Sequence, residues 1–381
     1  MANTLTNLIP TAFASLDVVS RELVGFIPSV TRDARTDRVA KNQTLYSPVA
    51  PANTLSDITA AMSIPAASDQ TIGTKSLTIS NYKVTGFSWT GEEQYSLNAQ
   101  GGPGTNQIMA DQVEQCFRAI TNQIESDIWT AANAGASRAF GTAGTTPFAS
   151  DVGASAQMKK ILDDNGAPMD TRSLIIDTTA GAALRTLAQL TKANEAGTTM
   201  TLRDGELLNL NKFMIKESNA VSTFTIGTGA SYLVNNVAGY AIGSTSIAVD
   251  TGTGTVLAGD IVTFAGDTNK YVVATALSGG TLVLAAPGLR KALADNVAMT
   301  VTAIATRNIG FSRNALVLAS RLPAVPQGGD LAIDRQVVTD ARSGISFEMA
   351  LYPGYRMNKV EISAAWGVSV FKPEHLAILL G

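Results

Sequence analysis

The chain has 381 residues, of which 45% are hydrophobic and only 15% charged, and its formal net charge is -3. At roughly 100 to 200 residues per domain this length suits two or three domains. The composition excludes a disordered chain, the small negative charge excludes the basic field of a sequence-specific nucleic-acid reader, and so apolar a surface favours an oligomer.

From the N-terminus, Phe13, Leu16, Val19, Leu23 and Phe26 recur at spacings of three or four after Pro10. This predicts an amphipathic helix over residues 11–27 that lies against the body or a neighbouring subunit. The mixed charges of 32–41 read as a solvated strand or turn. Between Pro48 and Gly104 the alternating runs Lys75–Ser80 and Tyr82–Trp89 predict a long, largely exposed hairpin or loop. Glu92 and Glu93 would form its charged tip, a placement that suits salt links between subunits.

After the Gly101-Gly-Pro-Gly break, Ile108, Val113, Cys116, Phe117, Ile120, Ile124 and Ile128 mark one face of a helix ending near Gly135. Such a helix is a rod of roughly 40 Å, the natural spine of the fold. Its charges Glu114, Arg118, Glu125 and Asp127 are expected on the solvated face. A helix from Ser150 closed by Asn165-Gly166, a strand at 173–177, a helix from Thr179 to about Leu190 and a strand at 213–218 form an α/β unit. Its partner strands are expected at 315–319, with further strands at 345–351 and 359–371.

That unit is interrupted by residues 222–305, a Gly/Thr/Val-rich block of about five short alternating strands separated by turns such as Gly252-Thr-Gly254, Ala265-Gly-Asp267 and Ser278-Gly-Gly280. It predicts a small barrel or sandwich.

Catalytic apparatus is absent from the pattern. One cysteine, Cys116, excludes an intrachain disulfide framework. One histidine, His375, leaves the usual zinc sets incomplete, and a Ser-His-Asp triad could be built around no other residue. Asp163-Asp-Asn-Gly166 lacks the remaining ligands of a calcium loop, and the glycine pairs at 227–229 and 252–254 complete no phosphate loop. No enzyme, cofactor or metal is expected. Met1 to Pro10 carries neither a basic leader nor a sustained apolar stretch, so the expectation is synthesis in the cytoplasm with no membrane partner. A β-rich surface adhesin is the rival reading that Gly/Thr content alone would allow.

Met1-Ala-Asn-Thr-Leu5 with the helix after it, Leu257–Phe264, Asn308–Leu318, Val338–Ile345 and the closing Ala365-Trp-Gly367 through Pro373-Glu374 together resemble the major capsid (coat) proteins of short-tailed double-stranded-DNA bacteriophages. The resemblance implies an α+β chain of the Hong Kong phage-type capsid fold with an inserted small β-barrel domain. By that resemblance 1–47 is an N-terminal arm, 48–104 an extended loop, and 105–149 with 336–381 a peripheral domain carrying the spine helix. Residues 150–221 with 306–335 then form an axial domain, and 222–305 the insertion domain. It further implies an icosahedral shell of hexamers and pentamers around DNA, located in the virion and assembled in the bacterial host. The partners would be the chain itself, a scaffolding protein, a portal protein and DNA bound without sequence preference, with a decoration protein as a further candidate. Asp17, Arg21, Glu22, Glu92, Glu93 and Asp267 are the candidate contacts to subunits or scaffold. Lys75 and Lys83 match by type the lysine with which some relatives of the fold crosslink their shells, although the short-tailed branch closes its shells noncovalently.

Overall fold

The computed structural model describes residues 22–50, 71–99, 104–192, 209–340 and 343–381, with residues 53, 55, 57, 58, 60, 62 and 207 between them. In chain order these form β1 (Thr31–Val39), β2 (Thr44–Val49), β3 (Gly73–Thr78), β4 (Asn81–Thr90), α1 (Gly91–Ala99), α2 (Gly104–Gly135), β5 (Arg138–Phe140) and α3 (Gly153–Asp164). Next come β6 (Arg172–Ile176), α4 (Thr178–Thr186), α5 (Ala188–Thr191) and β7 (Phe213–Glu217). The interrupting block supplies β8 (Tyr232–Val234), β9 (Ser246–Asp250), β10 (Ile261–Phe264), β11 (Lys270–Ser278), β12 (Thr281–Leu284) and β13 (Ala298–Val301). The chain closes with β14 (Arg307–Ser312), β15 (Leu316–Pro323), β16 (Asp334–Thr339), β17 (Ser346–Gly354), β18 (Met357–Val370) and β19 (Leu376–Leu380).

Helix α2 organises this list. Cys116, Ile120, Ile124 and Ile128 repeat at intervals of four and are all buried, the stripe that a 3.6-residue period requires of a helix laid on a core. They meet Phe311, Ile309, Ile362, Trp366 and Ile378, so the main core joins one helix to strands of two different sheets.

The first sheet runs β1-β15-β18-β17-β16, with β4 on the other side of the 14-residue strand β18. Strand β4 pairs with β18 along its whole length, from Asn81 opposite Trp366 to Thr90 opposite Met357. Gly86 is needed in that ladder because a Cβ there would stand 2.3 Å from the Val360 carbonyl oxygen. Strands β2 and β3 form a separate hairpin whose base packs Leu77 and Ile79 on Ala319 and Ala365. The segment expected to be one long hairpin or loop is thus divided: β2 and β3 pair with each other, whereas β4 belongs to the main sheet.

The second sheet contains β5-β19-β14-β6-β7. Every residue of β6 and β19 is buried, because helices cover both faces. Along β19, Leu376, Ile378 and Leu380 face the α2 core while Ala377 and Leu379 face Met158, Leu162 and Leu184 of α3 and α4. The partner of β6 after the interruption is β14, with Ile309 opposite Ile175, not residues 315–319. Residues 316–323 instead join the first sheet, because a 3-10 turn at Arg313–Ala315 redirects the chain between two equally buried strands.

Between β7 and β14 the six strands β8 to β13 pair in the order β10-β13-β8-β9-β12-β11, and β10 also pairs with β11, so the path closes on itself. Tyr232, Val234, Ile247, Val249, Val262, Phe264, Leu282 and Leu284 fill its interior. Closure leaves no unpaired edge. This ring is fused to the host: β11 pairs with β5, Tyr271 and Val273 face the ring interior, and Val272 faces the α2 core.

Several local expectations change. Residues 11–21 of the expected N-terminal helix lie outside the described residues, and residues 22–27 are not helical, since the backbone amides of 25–27 turn to a side chain of α2. Helix α3 begins at Gly153, where Asp151 accepts from the Gly153 amide, rather than at Ser150. Residues 91–99 are a helix, not a loop tip: Thr90 and Glu93 form a capping box, the Thr90 amide donating to Glu93 Oε2 at 2.8 Å and the Glu93 amide to Thr90 Oγ1 at 3.3 Å.

At the base of the ring the fully buried Asp260 carboxylate accepts from the amides of Gly227, at 3.1 Å to both oxygens, and of Leu257, at 2.7 Å. Asp260→Ala leaves those donors buried without an acceptor and should cost about 3 kcal/mol. A lowered unfolding midpoint with faster amide exchange at Gly227 and Leu257 is the expected result, and an unchanged midpoint would remove this role from Asp260.

Candidate functional site

The described residues hold no group of three His, Cys, Asp or Glu side chains able to bind a metal. Cys116 is buried on α2, where burial raises its thiol pKa, and Thr85 donates to its sulfur at 3.8 Å. His375 lies in a 3-10 turn, its pKa lowered by burial.

The first joint is where residues 22–30 cross α2. The Glu125 carboxylate, 2% exposed, accepts from the amides of Gly25 at 2.5 Å, Phe26 at 2.6 Å and Ile27 at 3.0 Å, and from the Ser218 hydroxyl at 2.8 Å. Burial pushes its pKa up, and the four donors oppose that shift. Phe26, Ile27 and Val30 enter the main core beside it. Two turns earlier on the same row of α2, Arg118 clasps Glu22 through one guanidinium edge, Nε and Nη2, with Nε to Oε2 at 2.7 Å. Arg118 holds the Glu22 carboxyl down at about 2, against an ordinary value of 4.5.

Three of the four charges expected on the solvated face of α2 are thus bound to other segments. Besides Arg118 and Glu125, Asp127 Oδ2 accepts from Trp366 Nε1 at 2.8 Å and Asn81 Nδ2 at 2.9 Å. The missed signal is the row Arg118, Glu125, Trp129, Ala132, spaced by seven, four and three: it is a helical face that turns apolar toward its C-terminal end.

The candidate contact residues do not converge on one place. Asp17 and Arg21 lie outside the described residues, and Glu22 is held by Arg118. Glu92 is exposed in the first turn of α1, while Glu93 beside it is buried in the capping box. Asp267 closes a turn of the ring, accepting from the Asn269 amide at 3.0 Å and the Tyr271 hydroxyl at 2.6 Å. Exposed apolar side chains are more telling. Leu55, Ile58 and Met62, between β2 and β3, are wholly exposed, Ile72 and Tyr46 largely so. Tyr95 and Tyr355 project beside the start of α1. Burying such side chains is worth about 1.5–3 kcal/mol each, so this surface is suited to being covered.

The complete architecture is matched by solved structures. A chain of Mycobacterium phage Che8 aligns over 99% of this chain and 98% of its own length, with TM-score 0.53 and 14% identity. The capsid structure of the cyanophage P-SCSP1u aligns over 100% and 95%, with TM-score 0.52 and 12% identity. The asymmetric unit of the bacteriophage PhiM1 mature capsid aligns over 96% and 89%, with TM-score 0.50 and 9% identity. The chain has a phage capsid fold. No protein-family model and no curated protein matches the sequence.

In this capsid fold the crossing of residues 22–30 over α2 has two distinct acid responses. The lowered pKa of Glu22 means that its contribution is complete above about 4.5 and is lost as pH falls toward about 2. The raised pKa of Glu125 has the opposite sign, contributing at low pH and less as pH rises through the folded value. A carboxyl-carbon titration of Glu22 should therefore show a midpoint near 2 that returns toward 4.5 in Arg118→Ala; a midpoint indifferent to that change would break the pairing. Separately, Glu125→Ala strands three backbone donors and should cost about 3 kcal/mol, read as roughly 100-fold faster amide exchange at Phe26 and Ile27.

Proposed function

We propose that this chain is the major capsid protein of a short-tailed, double-stranded-DNA phage, a structural protein without enzymatic activity. It assembles into hexamers and pentamers of an icosahedral shell. The observation that carries this reading is the end-to-end match to chains of two capsid structures, those of the cyanophage P-SCSP1u and the bacteriophage PhiM1, which spans 95% and 89% of the matched chains.

In this reading residues 1–47 are the arm, 48–104 the extended loop, and 105–149 with 336–381 the peripheral domain. Residues 150–221 with 306–335 are the axial domain, and 222–305 a barrel-like insertion domain. The closed path of β8 to β13 supports the last assignment. The wholly exposed Leu55, Ile58 and Met62 support an extended loop that docks on another subunit. Each contact is moderate, and shell closure multiplies them because linked sites act at high effective concentration.

Assembly proceeds through a procapsid built with a scaffolding protein in the bacterial host cytoplasm, and the shell expands as DNA enters through the portal. DNA is enclosed without sequence recognition, and the mature location is the virion. Expression with the cognate scaffolding protein, followed by sedimentation and electron microscopy, should give uniform shells that sediment far ahead of the 39.6 kDa chain. A persistent monomer under those conditions would overturn the reading.

A further inference from the structure

The rim where the β17–β18 turn meets the start of α1 is a preformed cleft. Thr90, Gly91, Glu92, Tyr95, Tyr355 and Arg356 enclose a volume of about 470 Å³, and a second hollow of about 400 Å³ continues past Arg356 to Trp89 and Gln94. Its walls are fixed from within. The Thr90–Glu93 capping box sets the first turn of α1, and the Gly91 amide donates to the Arg356 carbonyl oxygen at 3.1 Å, tying one lip to the other.

What the walls present is unspent. Tyr355 is 92% exposed and Tyr95 77%, and Arg356 holds a left-handed backbone at φ 54°, a conformation that costs a non-glycine residue energy. Glu92 stands on the α1 lip and Arg356 on the turn lip, both exposed, and neither side chain makes an ion pair among the described residues. Tyrosine and arginine are the residue types that dominate binding energy at protein interfaces, and a rigid cleft loses little entropy on binding.

We propose that this cleft is a contact between two copies of the chain related by a two-fold axis, in which Arg356 of each copy pairs with Glu92 of the other and Tyr95 and Tyr355 are covered. A second copy is the occupant because the cleft carries its own complement: one acidic and one basic lip on the same patch. Such a patch satisfies itself about a two-fold axis, where Arg356 meets Glu92 and Glu92 meets Arg356 across the same contact. This contact rests on the shell reading and specifies one of its interfaces.

Charge exchange tests it. Glu92→Arg and Arg356→Glu each place like charges across the contact and should raise the concentration needed for assembly about tenfold or more. The double variant, with the pair exchanged, should return to within about threefold of the wild type. Both positions are exposed, so unchanged thermal midpoints of the unassembled single variants provide the folding control. Single variants that assemble as the wild type does, or a double variant no better than the singles, overturn the contact while shells of the wild type leave the shell reading standing. Loss of assembly confined to reactions containing scaffolding protein assigns the cleft to the scaffold and also overturns it. A wild-type chain that never assembles removes the shell reading itself.

Discussion

The buried carboxylate of Glu125 is the constraint around which the chain is arranged. A charge at this depth is tolerated only when hydrogen-bond donors replace the water it has lost. Here they come from three successive amides of residues 25–27 and from Ser218, next to the end of β7. The Asn219 amide donates to Leu23, so the N-terminal segment runs beside the end of β7 and across α2 together. Lys216, whose pKa burial lowers, donates to Ser29 at 3.0 Å in the same neighbourhood. One helical side chain thereby fixes where the N-terminal segment enters the body.

The same logic repeats along α2. Gln112 accepts from Trp89 of β4, Asp127 from Trp366 of β18, and the Trp129 indole donates to the Arg307 carbonyl oxygen at the start of β14. At that last point the Arg307 guanidinium lies 4.3 Å from the Phe224 ring centroid and donates to Gly259, and burial lowers its pKa to about 10. The helix contributes its apolar stripe to the core and its polar row to the register of the segments around it. Dispersion and apolar burial supply the bulk energy, whereas these directional bonds select which strand lies where.

This division explains what could be read from the sequence. The apolar period of α2 and the alternation of β9 to β13 between glycine turns are local signals, and both elements stand where those signals put them. Helix α1 escaped because Gly91-Glu-Glu-Gln-Tyr-Ser-Leu carries no apolar stripe, and only the Thr90–Glu93 spacing announces it. The exchange of partners between β14 and β15 escaped because both strands are buried on both faces, so neither presents a solvent face that would tell one sheet from the other. Glu125 escaped for a stronger reason: its donors lie about a hundred residues away in the chain, at Gly25 and at Ser218. Exposure patterns mark the Glu92–Arg356 cleft only after the turn and the helix have been placed side by side.

The connections between the sheets also limit how the molecule can deform. The closed ring cannot swing independently of the second sheet, since β11 is shared between the ring interior, β5 and the α2 core. The two sheets are joined by the turn at Arg313–Ala315, by the turn at Pro373–His375, by α2 lying across both, and by residues 22–30, which run from the end of β7 into β1. Those two turns are adjacent, because the Phe371 amide donates to the Ala315 carbonyl oxygen at 2.8 Å. A rotation of one sheet against the other that preserves every strand ladder must therefore turn about this line. It must also either bend α2 or slide its polar row past Trp366 and Arg307, which hold it on opposite sides. Any change of shape within the chain is thereby channelled into one helix, one pair of turns and residues 22–30, and the ring travels with the second sheet as a single body.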